Sequence, residues 1–267
     1  DSGNWAQGQP AFTTTLRGHA AVTVEVATLD HGLHSGQFGG VVPDALMALT
    51  RMLASLHDDA GSVAVEGLLR TAAPDLAYPE ERLRIETGAL DGVEFIGSGS
   101  TASRMWSQPA ITVIGIDTTP VSRASNTLIP AARAKISIRV APGDDPVRAQ
   151  KLVAAHLRAN APFGARVAVS AEEWGAPCTM PLEGPYAEIA QRTFTAAWGV
   201  PPVQMGMGGS IPLAGTFQRL HPEALILTTA VVDPQSRMHS TDESLHLGDF
   251  AKACTAEALL LQGLADG

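Results

Sequence analysis

"ARAKISIRVAPGDDPVRAQKLVAAHLRANAPFGARVAVSAEEW" (132–174) holds the pattern on which the fold turns. Its first part alternates, with Ile136 and Ile138 on one face and Ser137 and Arg139 on the other, which predicts a strand over 132–142. A pair of acids and a proline then open an amphipathic period, predicting a helix over 145–160 with an acidic N-cap and Pro in its first turn. Alternation resumes over 165–174, a second strand.

The same grammar appears upstream. "HAAVTVEVATLD" (19–30) reads as a half-buried strand, "PDALMALTRMLASLHDD" (43–59) as a helix, and "AITVIGID" (110–117) as another strand. The order strand, helix, strand, strand, helix, strand predicts a ferredoxin-like α+β unit. Residues 60–109, rich in Gly, Pro and charge, read as helical pieces and loops. Beyond about 178 the pattern changes. A helix over 184–199 ends at Gly199, and the apolar run "ALILTTAVV" (224–232) predicts a strand buried on both faces of an α/β sheet. "LGDFAKACTAEALLLQGLADG" predicts a last helix. The expected division is 1–17 and 178–267 as parts of an α/β domain, with 18–177 inserted between them.

The net charge of −9 over 267 residues disfavours nucleic acid and anionic membrane surfaces as partners. No apolar run approaches the roughly 20 residues of a membrane span. Only Cys178 and Cys254 are present, far apart, so neither a disulfide framework nor a thiolate zinc site is indicated and a reducing, cytoplasmic setting is expected.

Four stretches could carry chemistry. "LHSGQFGG" (33–40) places His34 among glycines at a turn, as an ordinary loop histidine or as a ring held near a ligand. "MGMGGSIPLAG" (205–215) is neither a nucleophile elbow nor a phosphate loop; it is a plain turn, or one offering backbone N–H groups near Gly209 and the Ser210 hydroxyl to an anion. "DPQSRMHSTDESLHL" (233–247) carries His239 in a polar loop after a strand, the place where ligands bind in open α/β sheets. The last is Asp1, at the head of "DSGNW".

Their order along the chain is more specific than any one of them. "DSGNWAQGQPAFTTTLRG", "LHSGQFGGVVPDAL", "NTLIPAARAKISIRVAP", "GGSIPL" and "MHSTDESL" together resemble the second half of the dinuclear-zinc metallopeptidases related to carnosinase, succinyl-diaminopimelate desuccinylase and aminoacylase, most closely the dipeptidase branch. The resemblance implies a homodimer acting on a small peptide or N-acyl amino acid, with two zinc ions sharing an activated water. It implies that Asp1 binds one zinc and His239 the other. It implies that His34 reaches into the partner subunit's site to hold the scissile carbonyl oxygen. Thr127, Arg139, Ser210 and Gly209 match positions around the substrate carboxylate, for which a guanidinium offers two parallel donors.

The family's remaining metal ligands and its general base precede the first of these motifs. The one H-x-D in the chain, His57-Asp58-Asp59, and the pairs Glu80-Glu81 and Glu172-Glu173 all fall in the inserted region. Zinc needs three or four protein donors. The expectation is therefore a C-terminal portion, catalytically incompetent alone; the alternative is a non-catalytic dimerisation module.

Overall fold

The computed structural model describes residues 2–266. In chain order the elements are β1 (Ala11–Leu16), β2 (Gly18–Ala27), β3 (Leu33–His34), α1 (Ser35–Phe38), α2 (Ala45–Ala54), α3 (Glu80–Thr87), α4 (Thr101–Trp106), β4 (Ala110–Asp117), β5 (Thr127–Leu128), β6 (Ala131–Val140), α5 (Pro146–Ala159), β7 (Arg166–Gly175), β8 (Cys178–Thr179), α6 (Pro185–Trp198), β9 (Val203–Met207), α7 (Pro212–Leu220) and α8 (Leu247–Ala265).

The alternating strands form one antiparallel sheet in the order β4-β6-β2-β7, the ferredoxin-like arrangement expected. Its inward residues, including Val22, Val24, Ile136 and Ile138, pack with Leu49 and Met52 of α2 and Val153 and Leu157 of α5. The intervening residues, among them His19, Thr23, Lys135 and Arg139, take the opposite face. Both core helices begin as their sequences dictate: Asp44 accepts from Met47 N at 2.8 Å, and Asp145 accepts from Val147 N at 2.8 Å ahead of Pro146. Where the β2–β7 register slips near Ala20, the buried Gln150 amide donates to the carbonyls of Ala21 (2.9 Å) and Glu172 (3.0 Å).

A second sheet, β8-β1-β9, lies outside this unit, with β1 parallel to β9 and antiparallel to β8. Phe12 of β1 packs there against Phe194 and Trp198 of α6 and Leu260 of α8. The chain crosses between sheets at Arg17, between β1 and β2, and returns between Gly175 and Cys178. Residues 60–109 contain α3 and α4, separated by loops.

One expectation fails. The run 224–232 forms no strand and its side chains are at most half-buried. It lies beside β1, where Thr13 N donates to Thr228 O at 2.9 Å, and beside the start of the chain, where Asn4 N donates to Val232 O at 2.8 Å. A strand buried on both faces needs continuous ladder partners and two covered faces. Among the described residues this segment has neither, so its apolar composition yields extended chain without a ladder.

Candidate functional site

His34 ends β3, and its partner in the β3–β5 ladder is Thr127. Ser35 N donates to Asn126 O at 2.9 Å, pinning the turn to the strand opposite. The glycines here are needed for close approach. A Cβ on Gly39 would lie 2.3 Å from Ser35 O, and one on Gly36 would lie 2.9 Å from His34 Cε1. The imidazole is thus held over bare backbone, and His34 and Thr127 are both exposed.

Arg139 lies at the end of the four-stranded sheet away from this two-stranded ladder. It pairs with His19 across β2–β6, whereas the β3–β5 ladder adjoins the end where Ala27 meets Ala131. Ala27 lies eight positions beyond His19 along β2, about 26 Å at the usual rise. One chain therefore gathers its nominated residues into two groups, His34 with Thr127 and Arg139 with the hinge.

At the hinge Arg17 is the organising residue. Its guanidinium donates to Gly208 O (3.3 Å), Gln108 O (3.3 Å) and Arg104 O (3.5 Å), joining the Gly-rich turn to the end of α4. No carboxylate pairs with Arg17 or Arg139 among the described residues. Burial, and then the nearby Arg139 charge, push the Arg17 guanidinium down to about 10. Burial and Arg139 also hold the His19 imidazole below its ordinary value, despite Glu173 at 3.9 Å. Two neighbouring half-buried cations with no carboxylate partner among the described residues make an environment that favours an arriving anion.

The Gly-rich turn follows β9. Gly206 and Gly208 are packing glycines: a Cβ would lie 2.7 Å from Trp106 in the first case and 2.7 Å from the Arg17 guanidinium in the second. Gly209 has no such constraint, its nearest neighbour being Met207 Cε at 3.7 Å. Ser210 is half-buried just before α7, two residues from Gly208. The turn thus reaches the Arg17–Arg139 group through Gly208.

His239 lies in a loop bonded to itself: Ser236 N donates to Asp233 O at 3.0 Å, Ser240 N to Arg237 O at 2.9 Å, and Ser244 N to Ser236 O at 3.0 Å. Arg237, His239 and Asp242 all have φ between 51 and 62°, left-handed backbone that non-glycine residues rarely adopt. Such strain gathers at functional loops. Asp1 lies outside the described residues. Its neighbour Ser2 donates to Thr229 O at 2.9 Å, and Ser2 shares a cavity of about 670 Å³ with Met238 and Glu243. The fit to a metal ion is incomplete here: among the described residues no three His, Cys, Asp or Glu side chains converge on one point.

Arg17 was legible as part of "TTTLRG", but nothing in that motif marks it as the hinge bolt. Replacing Arg17 with Met is expected to cost about 2 kcal/mol, because three carbonyls lose their donor and relief of a buried charge only partly offsets this. Urea denaturation checks it; unchanged stability would show those carbonyls to be served otherwise.

The model of the M20 peptidase dimerisation domain matches residues 14–165, more than half of the chain. The chain belongs to the M20 peptidase family. It is 37% identical over 265 residues to a cysteinylglycine-S-conjugate dipeptidase of Corynebacterium striatum, covering 98% of this chain and 58% of that protein. It is 29% identical to a β-Ala-His dipeptidase of Rattus norvegicus, covering 92% and 52% respectively. In three dimensions it resembles the dipeptidase Dug1p of Saccharomyces cerevisiae, with TM-score 0.81, 23% identity, and coverage of 100% of this chain and 58% of that one. Human carnosine dipeptidase 1 gives TM-score 0.78 at 21% identity, covering 99% and 58%. The chain thus spans a little over half the length of these members of the family, which are named dipeptidases.

Proposed function

We propose that this chain is the dimerisation and substrate-closing portion, with part of the catalytic sheet, of a zinc dipeptidase that cleaves short peptides or N-acyl amino acids with a free carboxylate. The observation that carries the reading is the Arg17–Arg139 group at the hinge, which has no carboxylate partner among the described residues and stands beside the Gly-rich turn. The dipeptidase names of the relatives point to the substrate class.

In this reading Arg139 receives the terminal carboxylate, with the Ser210 hydroxyl and Gly209 N–H beside it, and Arg17 holds the turn in place. His34, presented at a glycine tip, donates to the carbonyl oxygen as charge develops on it. Because His34 and Thr127 stand at the far end of the sheet from Arg139, the pair serves a second copy of the chain. The outer edge of β4, which exposes Ile114 and Ile116, is a suitable surface for that pairing. Zinc is the metal this chemistry uses, with Asp1 and His239 each supplying a ligand; the further donors such a site needs are not assembled among the described residues, so the chain by itself is expected to be inactive.

The match to a dimerisation domain also supports a second reading, a module that pairs without turnover. Co-expression with the preceding segment of the Corynebacterium striatum relative, followed by assay of Cys-Gly hydrolysis with added zinc, separates the two. The dipeptidase reading expects turnover from the pair and none from the chain alone. A dimer that stays inactive in every combination supports the module and overturns the dipeptidase.

A further inference from the structure

His19 stands directly across the β2–β6 ladder from Arg139 and across the β2–β7 ladder from Gly175. Side chains opposed in this way have Cβ atoms about 4.5–5.5 Å apart. The imidazole is therefore flanked by a guanidinium on one side and by bare backbone on the other. Two carboxylates come near it where the β7 register slips, because Glu172 and Glu173 together fall opposite the single Ala21. Glu172 turns to Thr23, accepting from its hydroxyl at 2.8 Å. Glu173 lies 3.9 Å from His19 Nε2 but 3.1 Å from the Lys135 ammonium, so the lysine answers much of its charge.

Two features resist a second proton on this ring while nothing offsets the Arg139 charge. Nδ1 is buried and has no partner among the described residues, so a proton added there would be a buried donor without an acceptor. Burial and then Arg139 hold the imidazole below its ordinary value; Glu173 opposes this and Lys135 reinforces it. An anion bound by Arg139 would offset the guanidinium charge that disfavours the imidazolium. Binding of that anion and protonation of the ring then favour each other by the same factor.

We propose that His19 is a positioning residue of the carboxylate subsite, acting through Arg139: a proton on its ring and a carboxylate on Arg139 stabilise one another, so acid-terminated ligands bind more tightly as pH falls. The proposal rests on the carboxylate reading of Arg139 and adds regulation of that site by pH. Its direction follows from the order of two titrations, the ring without ligand and, at higher pH, the ring with ligand. Above both the ring is neutral in either state and pH changes nothing. Between them binding takes up a proton, so affinity rises as pH falls, and below both it is level again. The ligand keeps its charge throughout, since a terminal carboxylate titrates near about 3.5. His19 is partly exposed and solvent screens it, so a coupling of about fivefold is expected, the low end for linked sites.

Titration of the 267-residue chain with N-acetylglycine and with N-acetylglycinamide, from about pH 5 to about pH 8 at one ionic strength, tests it. Only the first ligand carries a carboxylate, and neither carries a titrating amine. Side-chain NMR signals of His19 and Arg139 report protonation and binding. N-acetylglycine is expected to bind about fivefold tighter at the acid end and to raise the pH at which the His19 signals titrate; the amide should do neither. His19→Asn, which stays polar and neutral, is expected to keep the affinity of the alkaline end and lose the gain. Glu173→Gln, at an exposed residue that leaves the fold intact, removes a charge favouring the imidazolium and should move the gain to lower pH. N-acetylglycine binding that is independent of pH, a His19 titration unmoved by the ligand, or a gain that survives His19→Asn would overturn the coupling and leave the carboxylate reading standing. No binding of N-acetylglycine at any pH, or equal binding of the amide, would overturn the coupling and the carboxylate reading together.

Discussion

Replacing His34 with Ala in the assembled enzyme is expected to lower kcat for Cys-Gly by about 10²–10³-fold while leaving KM nearly unchanged, the loss typical of removing one donor to a developing oxyanion. The expectation follows from how the ring is displayed. Gly36 removes the side chain that would crowd it, Gly39 lets the turn close on Ser35 O, the bond from Ser35 N to Asn126 O fixes that turn, and the ring is left exposed. A merely structural histidine at this tip would change stability and not turnover. His34→Gln, which keeps an N–H donor, should recover part of the rate. Steady-state kinetics with a thermal melt of each variant decides the matter; full activity in the Ala variant removes His34 from the chemistry.

Arg139→Ala is expected to reduce kcat/KM by about 10²–10³-fold on dipeptides with a free carboxylate, the range for truncating one partner of a desolvated charge pair. It should do little to dipeptides ending in an amide, which are expected to be poor substrates of the unsubstituted enzyme because they offer Arg139 no anion. The ratio of the two substrates is the informative quantity, because a general loss of folding lowers both. Arg139 has no carboxylate partner among the described residues, and it sits beside Arg17, itself pushed down to about 10 by burial and by Arg139. A cation in that position is expected to gain most from an anionic ligand. Equal losses on both substrates would assign Arg139 to structure alone.

The ferredoxin-like sheet could be read from the chain because its strands alternate cleanly and both core helices begin at aspartate caps, so local preference and tertiary packing agree. The run 224–232 misled because apolar content reports what a segment would bury against, and ladder partners on both sides are not a property of the segment. His34, Thr127, Arg139, Gly209 and Ser210 were nominated by the order of motifs. What that order could not convey was their arrangement: His34 shares a ladder with Thr127, while Arg139 faces His19 eight positions along β2. Arg17 and His19 escaped notice because their roles depend on contacts between segments far apart in sequence, such as Arg17 with Gly208 or His19 with Arg139.

That separation along β2 makes the central claim one about two copies: each site joins the metal-side residues of one subunit to the His34 tip of the other. Mixing His34→Ala and His239→Ala subunits of the assembled enzyme under exchange conditions tests it most directly. Either variant alone should be nearly inactive. Random pairing makes about half the dimers mixed, each with one intact site of two, so activity should return to about a quarter of wild type. Activity that stays at the level of the separate variants, in a mixture shown to have exchanged subunits, would contradict the shared site.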